Sequence, residues 1–154
     1  AGIVLRAALF GLPARARDGL IPRATYTDPE LAQVGLTEEE ARAVHGPRLQ
    51  VFRVPLAEND RARAGRQTEG MIKLMVAGGR PVGGGIAGPQ AGELIGLWAL
   101  VLQRRIPVRA VAGMVLPYPT LSEAGKRAAG ACLSPRLFAN PWVGRIVRLV
   151  QRLP

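Results

Sequence analysis

The chain has 154 residues, of which 48% are hydrophobic and 21% are charged, and it carries a formal net charge of +10 at pH 7. Its length allows one domain with a substantial core, and its composition argues against disorder of the whole chain. No apolar run reaches the roughly 20 residues that a membrane-spanning helix needs. The single cysteine, Cys132, excludes an intrachain disulfide, fits a reducing cytoplasm and is predicted to be a small core residue.

The first segment, AGIVLRAALFGL at residues 1–12, is apolar on almost every side and has no capping residue ahead of it. A helix that is hydrophobic all round must be buried on all sides. We therefore interpret this segment as the tail of a helix from a preceding domain, in keeping with a chain that does not open on Met. Residues 13–21, which begin with Pro13, are predicted to be a connector.

Residues 22–133 are predicted to form one domain in which strands come first and helices follow. Strand composition or alternation is found at residues 23–28, 31–35, 49–56, 71–77 and 81–88. Helical spacing or capping patterns are found at residues 37–45, 91–105, 108–114 and 121–132. Because the two kinds of element do not alternate regularly, we expect an α+β domain whose antiparallel sheet has three to five strands, with helices packed on one face.

The C-terminal residues 134–154 include a predicted basic amphipathic helix at residues 142–153. Its apolar face could dock on the domain or on a partner subunit, or it could lie on an anionic membrane surface. Docking is the better interpretation, because one helix of about three turns is a weak membrane anchor.

The motif LPYPTLSE sets Tyr118 between Pro117 and Pro119 and follows it with Thr120 and Glu123. Proline fixes its own φ and pushes the residue before it into extended geometry, so the motif predicts a stiff strut that displays the tyrosine. The Thr-x-x-Glu spacing is that of a capping box and predicts a helix directly afterwards. On spacing alone, a rigid turn on which the tyrosine merely packs explains the motif equally well.

Other patterns do not indicate a cofactor or metal site. Gly83, Gly85 and Gly88 match a dinucleotide fingerprint, but Pro89 interrupts the join to the next helix and no acidic residue follows about 20 positions later. A glycine-rich strand that lets another backbone approach is the better interpretation. The single histidine, His45, is predicted to contact the last carbonyls of its helix.

The positive charge is nearly all arginine and is dispersed along the chain. Together with few aromatic residues for base stacking, this favours background charge over a nucleic-acid groove. A basic nucleic-acid-binding module and a peripheral membrane protein anchored by residues 142–153 are the alternative hypotheses.

With these motifs in place, the chain resembles the C-terminal dimerisation domain of the FAD-dependent pyridine nucleotide-disulfide oxidoreductases, the family of dihydrolipoamide dehydrogenase, glutathione reductase and mercuric reductase. TYTDPELAQVGLTEEEA is similar to that domain's opening strand and first helix, and EGMIKLMV with PVGGGIAGPQAGELI resembles its central hairpin and next helix. PYPTLSE stands where most members carry His-Pro-Thr-x-x-Glu. The resemblance covers residues 22–133, and residues 1–12 resemble the last helix of the preceding FAD domain.

The resemblance implies that FAD, NAD(P) and a redox-active cysteine pair belong to other domains of a parent enzyme. This piece then holds no cofactor and has no independent catalysis. Its implied partners are a second copy in a homodimer, joined through residues 91–105 and the helix after the strut, and the FAD- and NAD(P)-binding domains of its own parent. Neither nucleic acid nor a membrane is an expected partner.

In family members that act on disulfides, the loop histidine is the acid-base group and the glutamate orients it. This sequence has Tyr118 there instead, and a phenol titrates near 10 where an imidazole titrates near 6.5, so it exchanges protons poorly at neutral pH. Mercuric reductases are similar in having a tyrosine at this place, although they carry a C-terminal cysteine pair that RLVQRLP lacks. We expect a mercuric-reductase-like parent in which Tyr118 and Glu123 act across the dimer interface, supported by Pro117, Pro119 and Thr120.

Overall fold

The computed structural model describes residues 2–11, 18–134, 145 and 148. The strands are β1 Arg23–Thr25, β2 Leu31–Gly35, β3 Leu49–Pro55, β4 Met71–Ala77 and β5 Arg80–Ala87. The helices are α1 Gly2–Phe10, α2 Glu38–His45, α3 Asp60–Ala64, α4 Ala91–Gln103, α5 Val108–Ala112 and α6 Ser122–Ala131. Of the predicted helix at 142–153, all but Arg145 and Arg148 lie outside the described residues. No described helix is both long enough and apolar enough to cross a bilayer.

The five strands form one antiparallel sheet in the order β1-β2-β5-β4-β3. The β4–β5 hairpin predicted around Gly78 and Gly79 lies at its centre, and both turn glycines have the positive φ, +58° and +75°, that such a turn needs. The predicted fold class is therefore confirmed at the upper end of its strand count.

The core lies between one face of the sheet and the helices α4, α5 and α6. Strand alternation points Ile72 and Leu74 of β4 toward these helices, and both side chains are fully buried. Trp98 of α4 lies in the same core and is 1% exposed. Cys132 is buried there as predicted, and burial raises the pKa of its thiol to about 12, so it is an unreactive core residue.

The opposite face of the sheet is joined to α2 by ion pairs. Glu38 of α2 accepts hydrogen bonds from Arg42, at 2.7 Å, and from Lys73 of β4, at 3.3 Å, and it also contacts the guanidinium of Arg53 of β3. The bond from Arg42, more than those from Arg53 and Lys73, lowers the pKa of Glu38 to about 2. This carboxylate therefore fixes the start of α2 against the two strands.

Candidate functional site

The candidate site is the Pro-Tyr-Pro-Thr loop, residues 117–120, which connects α5 to α6. The Tyr118–Pro119 peptide is cis, and no helix or strand is formed between residues 114 and 120. Tyr118 is 71% exposed, whereas Leu121 directly after the loop is buried in the core. The loop is thus anchored at its base and open at its tip.

The Tyr118 hydroxyl donates a hydrogen bond to Oδ2 of Asp60, the first residue of α3, at 3.0 Å. That bond, followed by the negative charge of the same carboxylate and smaller effects of burial and Glu123, raises the pKa of Tyr118. The side chain is therefore a neutral phenol at neutral pH, with its proton directed at Asp60. Its oxygen keeps lone pairs that can accept a hydrogen bond from an approaching group.

Glu123, the second predicted site residue, does not form a hydrogen bond with the Tyr118 hydroxyl, whose partner is Asp60. Its Oε2 accepts a hydrogen bond from the backbone N–H of Thr120 at 3.3 Å, and its own N–H donates to the Thr120 carbonyl at 3.4 Å. The predicted capping box is therefore only half formed, and α6 begins at Ser122. The Thr120 hydroxyl instead donates to the carbonyl oxygen of Pro117 at 3.0 Å, which closes the loop on itself.

Sequence reasoning missed two residues of this site, Asn59 and Asp60. Asn59 donates from Nδ2 to the Thr120 carbonyl at 3.0 Å, although the two residues are 61 positions apart. An asparagine directly ahead of a short polar helix is a recognisable N-cap signal, so the start of α3 could have been found. Its contact with the loop could not, because no local pattern reports a pairing over such a distance.

The glycines that match a dinucleotide fingerprint do not fit a pyrophosphate. Gly83 and Gly85 lie inside β5 and pair antiparallel with β2 and β4, whereas the fingerprint opens a helix after a parallel strand. A Cβ on Gly83 would lie 2.0 Å from the backbone oxygen of Leu36. The interpretation of a strand that lets another backbone come close is therefore confirmed.

Neither the single histidine nor, among the described residues, a metal-binding cluster belongs to the candidate site. His45 is the last residue of α2, as predicted, and is half-buried there. Within the described part of the chain, no three His, Cys, Asp or Glu side chains are grouped so that they could hold a metal ion.

Comparison with known proteins identifies the domain. Residues 21–129 match the family described as "Pyridine nucleotide-disulphide oxidoreductase, dimerisation domain". The dihydrolipoyl dehydrogenase of Chlorobaculum parvum is 38% identical over 138 residues, which are 88% of this chain and 29% of that protein. The mitochondrial dihydrolipoyl dehydrogenase of Dictyostelium discoideum is 40% identical over 113 residues, 72% of this chain and 23% of that protein.

Solved structures agree with this match. The crystal structure of LpdA from Mycobacterium tuberculosis has a TM-score of 0.76 at 27% identity and covers 84% of this chain and 28% of its own. The HOCl-induced flavoprotein disulfide reductase RclA of Escherichia coli has a TM-score of 0.74 at 27% identity, and the match covers 82% of this chain and 30% of RclA. The chain thus spans less than a third of the length of these proteins, and a nucleic-acid-binding or peripheral membrane module is not favoured. The chain belongs to the dimerisation-domain family of the pyridine nucleotide-disulfide oxidoreductases.

Proposed function

We propose that this chain is the dimerisation part of an FAD- and NAD(P)-dependent oxidoreductase, in which it joins two subunits and presents the Pro-Tyr-Pro-Thr loop to the partner subunit's redox site. The observation that carries this proposal is the state of Tyr118, which is 71% exposed and yet held through its hydroxyl by Asp60. Val115, in the approach to the loop, is 94% exposed. Apolar and aromatic side chains displayed in this way are typical of a surface that another chain covers.

The subunit interface in this proposal uses α4 and α6, and the preceding FAD domain covers α1. Leu100 of α4 is 52% exposed, and a Cβ on Gly96 of the same helix would meet no atom within 4 Å, so this part of α4 is open to a partner. On α1, four large apolar side chains are exposed: Val4, Leu5, Leu9 and Phe10. A cytoplasmic location stays a prediction.

The residues of this chain have a limited chemical role in the proposal. FAD, when bound by the parent, supplies the electron transfer, whereas the loop orients a phenol at the edge of the partner's site and helps to exclude water. Because the Tyr118 proton is directed at Asp60, the phenol oxygen serves as a hydrogen-bond acceptor toward the reacting group. Glu123 contributes by holding the Thr120 backbone in place.

Mixed dimers of the intact parent test the trans arrangement. One subunit carries Tyr118→Phe, and the other keeps Tyr118 but has its redox-active cysteines replaced by serine. If the loop acts on the partner, one site of each mixed dimer has both intact cysteines and an intact tyrosine, and the preparation should recover about half of the wild-type activity. If the loop acts within its own subunit, no intact site forms, and the activity should stay at or below half that of the Tyr118→Phe homodimer.

The activity of the Tyr118→Phe homodimer is the reference against which the mixed dimers are compared. Loss of one positioned hydroxyl is expected to lower kcat/KM by about tenfold, which corresponds to about 1.4 kcal/mol. Wild-type kinetics in this variant would remove the catalytic role of the Tyr118 hydroxyl.

The tyrosine also supports a mercuric-reductase-like parent within the proposed function, whereas the relatives named above are dihydrolipoyl dehydrogenases. Assaying the intact parent for NAD(P)H oxidation with Hg(II) and with lipoamide separates the two. Turnover with Hg(II) that exceeds turnover with lipoamide is the expected result, and the reverse order would restrict the proposal to disulfide chemistry.

A further inference from the structure

Asn59 is the one polar residue among the described residues that is buried, at 2% exposure. A buried side-chain amide needs hydrogen bonds on both its oxygen and its nitrogen. Its Oδ1 accepts from the backbone N–H of Ala62 at 2.9 Å and caps α3, while its Nδ2 donates to the Thr120 carbonyl at 3.0 Å. A single side chain therefore fixes the start of α3 and ties that point to the Pro-Tyr-Pro-Thr loop.

Asp60 comes directly after Asn59 and holds the same loop at a second point, the Tyr118 hydroxyl. The bonds within the loop and the first turn of α6, from Thr120 to Pro117 and to Glu123, join residues three positions apart and do not connect the loop to α3. Because Asn59 determines where α3 begins, it also determines where the Asp60 carboxylate lies relative to the phenol. The orientation of Tyr118 thus depends on a residue that Tyr118 does not contact.

We propose that Asn59 is a positioning residue for Tyr118, acting through the Thr120 backbone and the Asp60 carboxylate. This inference rests on the proposed function, because it assigns to Asn59 the geometry of the group that reaches the partner subunit's redox site. It requires that Asn59 matter for turnover only while the Tyr118 hydroxyl is present.

Two variants of the intact parent separate the capping role of Asn59 from its contact with the loop. Asn59→Ser keeps a cap for Ala62 and leaves the charge unchanged, but its hydroxyl is too short to reach the Thr120 carbonyl. Asn59→Asp keeps the size of the side chain and the capping oxygen but has no amide donor. Thr37→Ala is the matched control, since it removes a helix cap at α2 and leaves the loop untouched.

The test is a double-mutant cycle with Tyr118→Phe. Asn59→Ser and Asn59→Asp should each lower kcat by about tenfold, a size that a small displacement of a reacting group readily produces. In the Tyr118→Phe background the same two substitutions should lower kcat by less than twofold. The control, Thr37→Ala, should leave kcat unchanged both in the wild type and in the Tyr118→Phe background. An equal factor in both backgrounds would show a merely structural role and overturn the inference.

A second measurement reports the position of the phenol without catalysis. In the intact parent with ¹³C-labelled tyrosine, the pKa of Tyr118 followed by NMR should fall in Asn59→Ser, because the phenol loses its alignment with Asp60. An unchanged titration, or full kcat in both Asn59 variants while Tyr118→Phe is slow, would overturn the positioning role alone. Wild-type kinetics in Tyr118→Phe would overturn it together with the proposed role of Tyr118 at the partner subunit's redox site.

Discussion

Two Thr-x-x-Glu sequences in this chain share one pattern and have different structures. At the first, the Thr37 hydroxyl accepts from the N–H of Glu40 at 3.2 Å, and the Glu40 carboxylate accepts from the N–H of Thr37 at 2.8 Å, so the capping box is complete. At the second, the Glu123 carboxylate accepts from the N–H of Thr120, but the threonine hydroxyl donates to a carbonyl of the preceding loop. The first box therefore starts a helix, and the second holds a loop.

The difference follows from the residues ahead of each threonine. Leu36, before the first box, is bound to the sheet through its N–H and the Val82 carbonyl at 3.0 Å, so the Thr37 hydroxyl is left to cap α2. Before the second box, the turn through Tyr118 brings the Pro117 carbonyl within reach of Thr120. The threonine hydroxyl donates to this nearby carbonyl, as threonine hydroxyls commonly do with local backbone groups, and does not cap the helix. A capping pattern thus predicts that a helix begins nearby, but the residues before it decide where the hydroxyl points.

Acid should weaken the contacts of Glu38 and Glu40 at the start of α2. The resulting loss of stability is expected to be larger than that of either threonine substitution described below. The Thr37 N–H and hydroxyl bonds lower the pKa of Glu40, and the Arg42 bond, with those from Arg53 and Lys73, lowers that of Glu38 from 4.5 to about 2. Because both carboxyls bind protons more weakly in the folded state, their stabilising effect is present above the ordinary pKa of 4.5 and declines as the pH falls below it; the contribution of Glu38 is lost by about pH 2. Urea unfolding at pH 6 and at pH 3, at constant ionic strength, measures this loss.

Glu38→Gln is the control for the acid experiment. Other carboxyl groups also titrate between pH 6 and pH 3, so the contribution of Glu38 is the difference between the wild type and this variant. The variant should lose less stability over the same interval, because its side chain has no proton to gain. Identical losses in the two proteins would mean that Glu38 does not anchor α2 to β3 and β4.

Thr37→Ala tests the complete box by mutation. Removing the capping hydroxyl should lower the free energy of unfolding by about 1 kcal/mol, the usual effect of losing a threonine N-cap. Thr37→Ser keeps the hydroxyl and should retain most of the stability. Equal unfolding midpoints in urea for the alanine and serine variants would contradict the capping role of the hydroxyl.

Much of this fold could be predicted from the sequence because the deciding signals are local. The alternation in LQVFRVPL and the two-glycine turn after MIKLMVA predict β3 and the β4–β5 hairpin, and the structure confirms both. The first capping box predicts α2 with the correct last residue, His45. In each case, neighbouring residues impose the geometry, and the tertiary structure agrees with it.

The candidate site was predicted less completely, since its contacts join distant parts of the chain. The two prolines predicted that Tyr118 would be displayed, and it is exposed, but its hydrogen-bond partner Asp60 lies 58 positions away. Nothing around Asn59 indicates that it is buried against the Thr120 carbonyl. Such pairings are set by tertiary packing, which brings the start of α3 to the loop before α6, and spacing within one segment does not record that packing.

Thr120→Ala should have the smallest effect on stability and sharpens the contrast between the two boxes. The lost bond from the hydroxyl to the Pro117 carbonyl is solvent-exposed, so the free energy of unfolding should fall by no more than about 0.5 kcal/mol, less than for Thr37→Ala. In the intact parent the order should reverse: Thr120→Ala lowers kcat, since the loop is less well closed, while Thr37→Ala does not. If Thr120→Ala destabilises the fold as much as Thr37→Ala and leaves kcat unchanged, the second threonine is an ordinary helix cap after all.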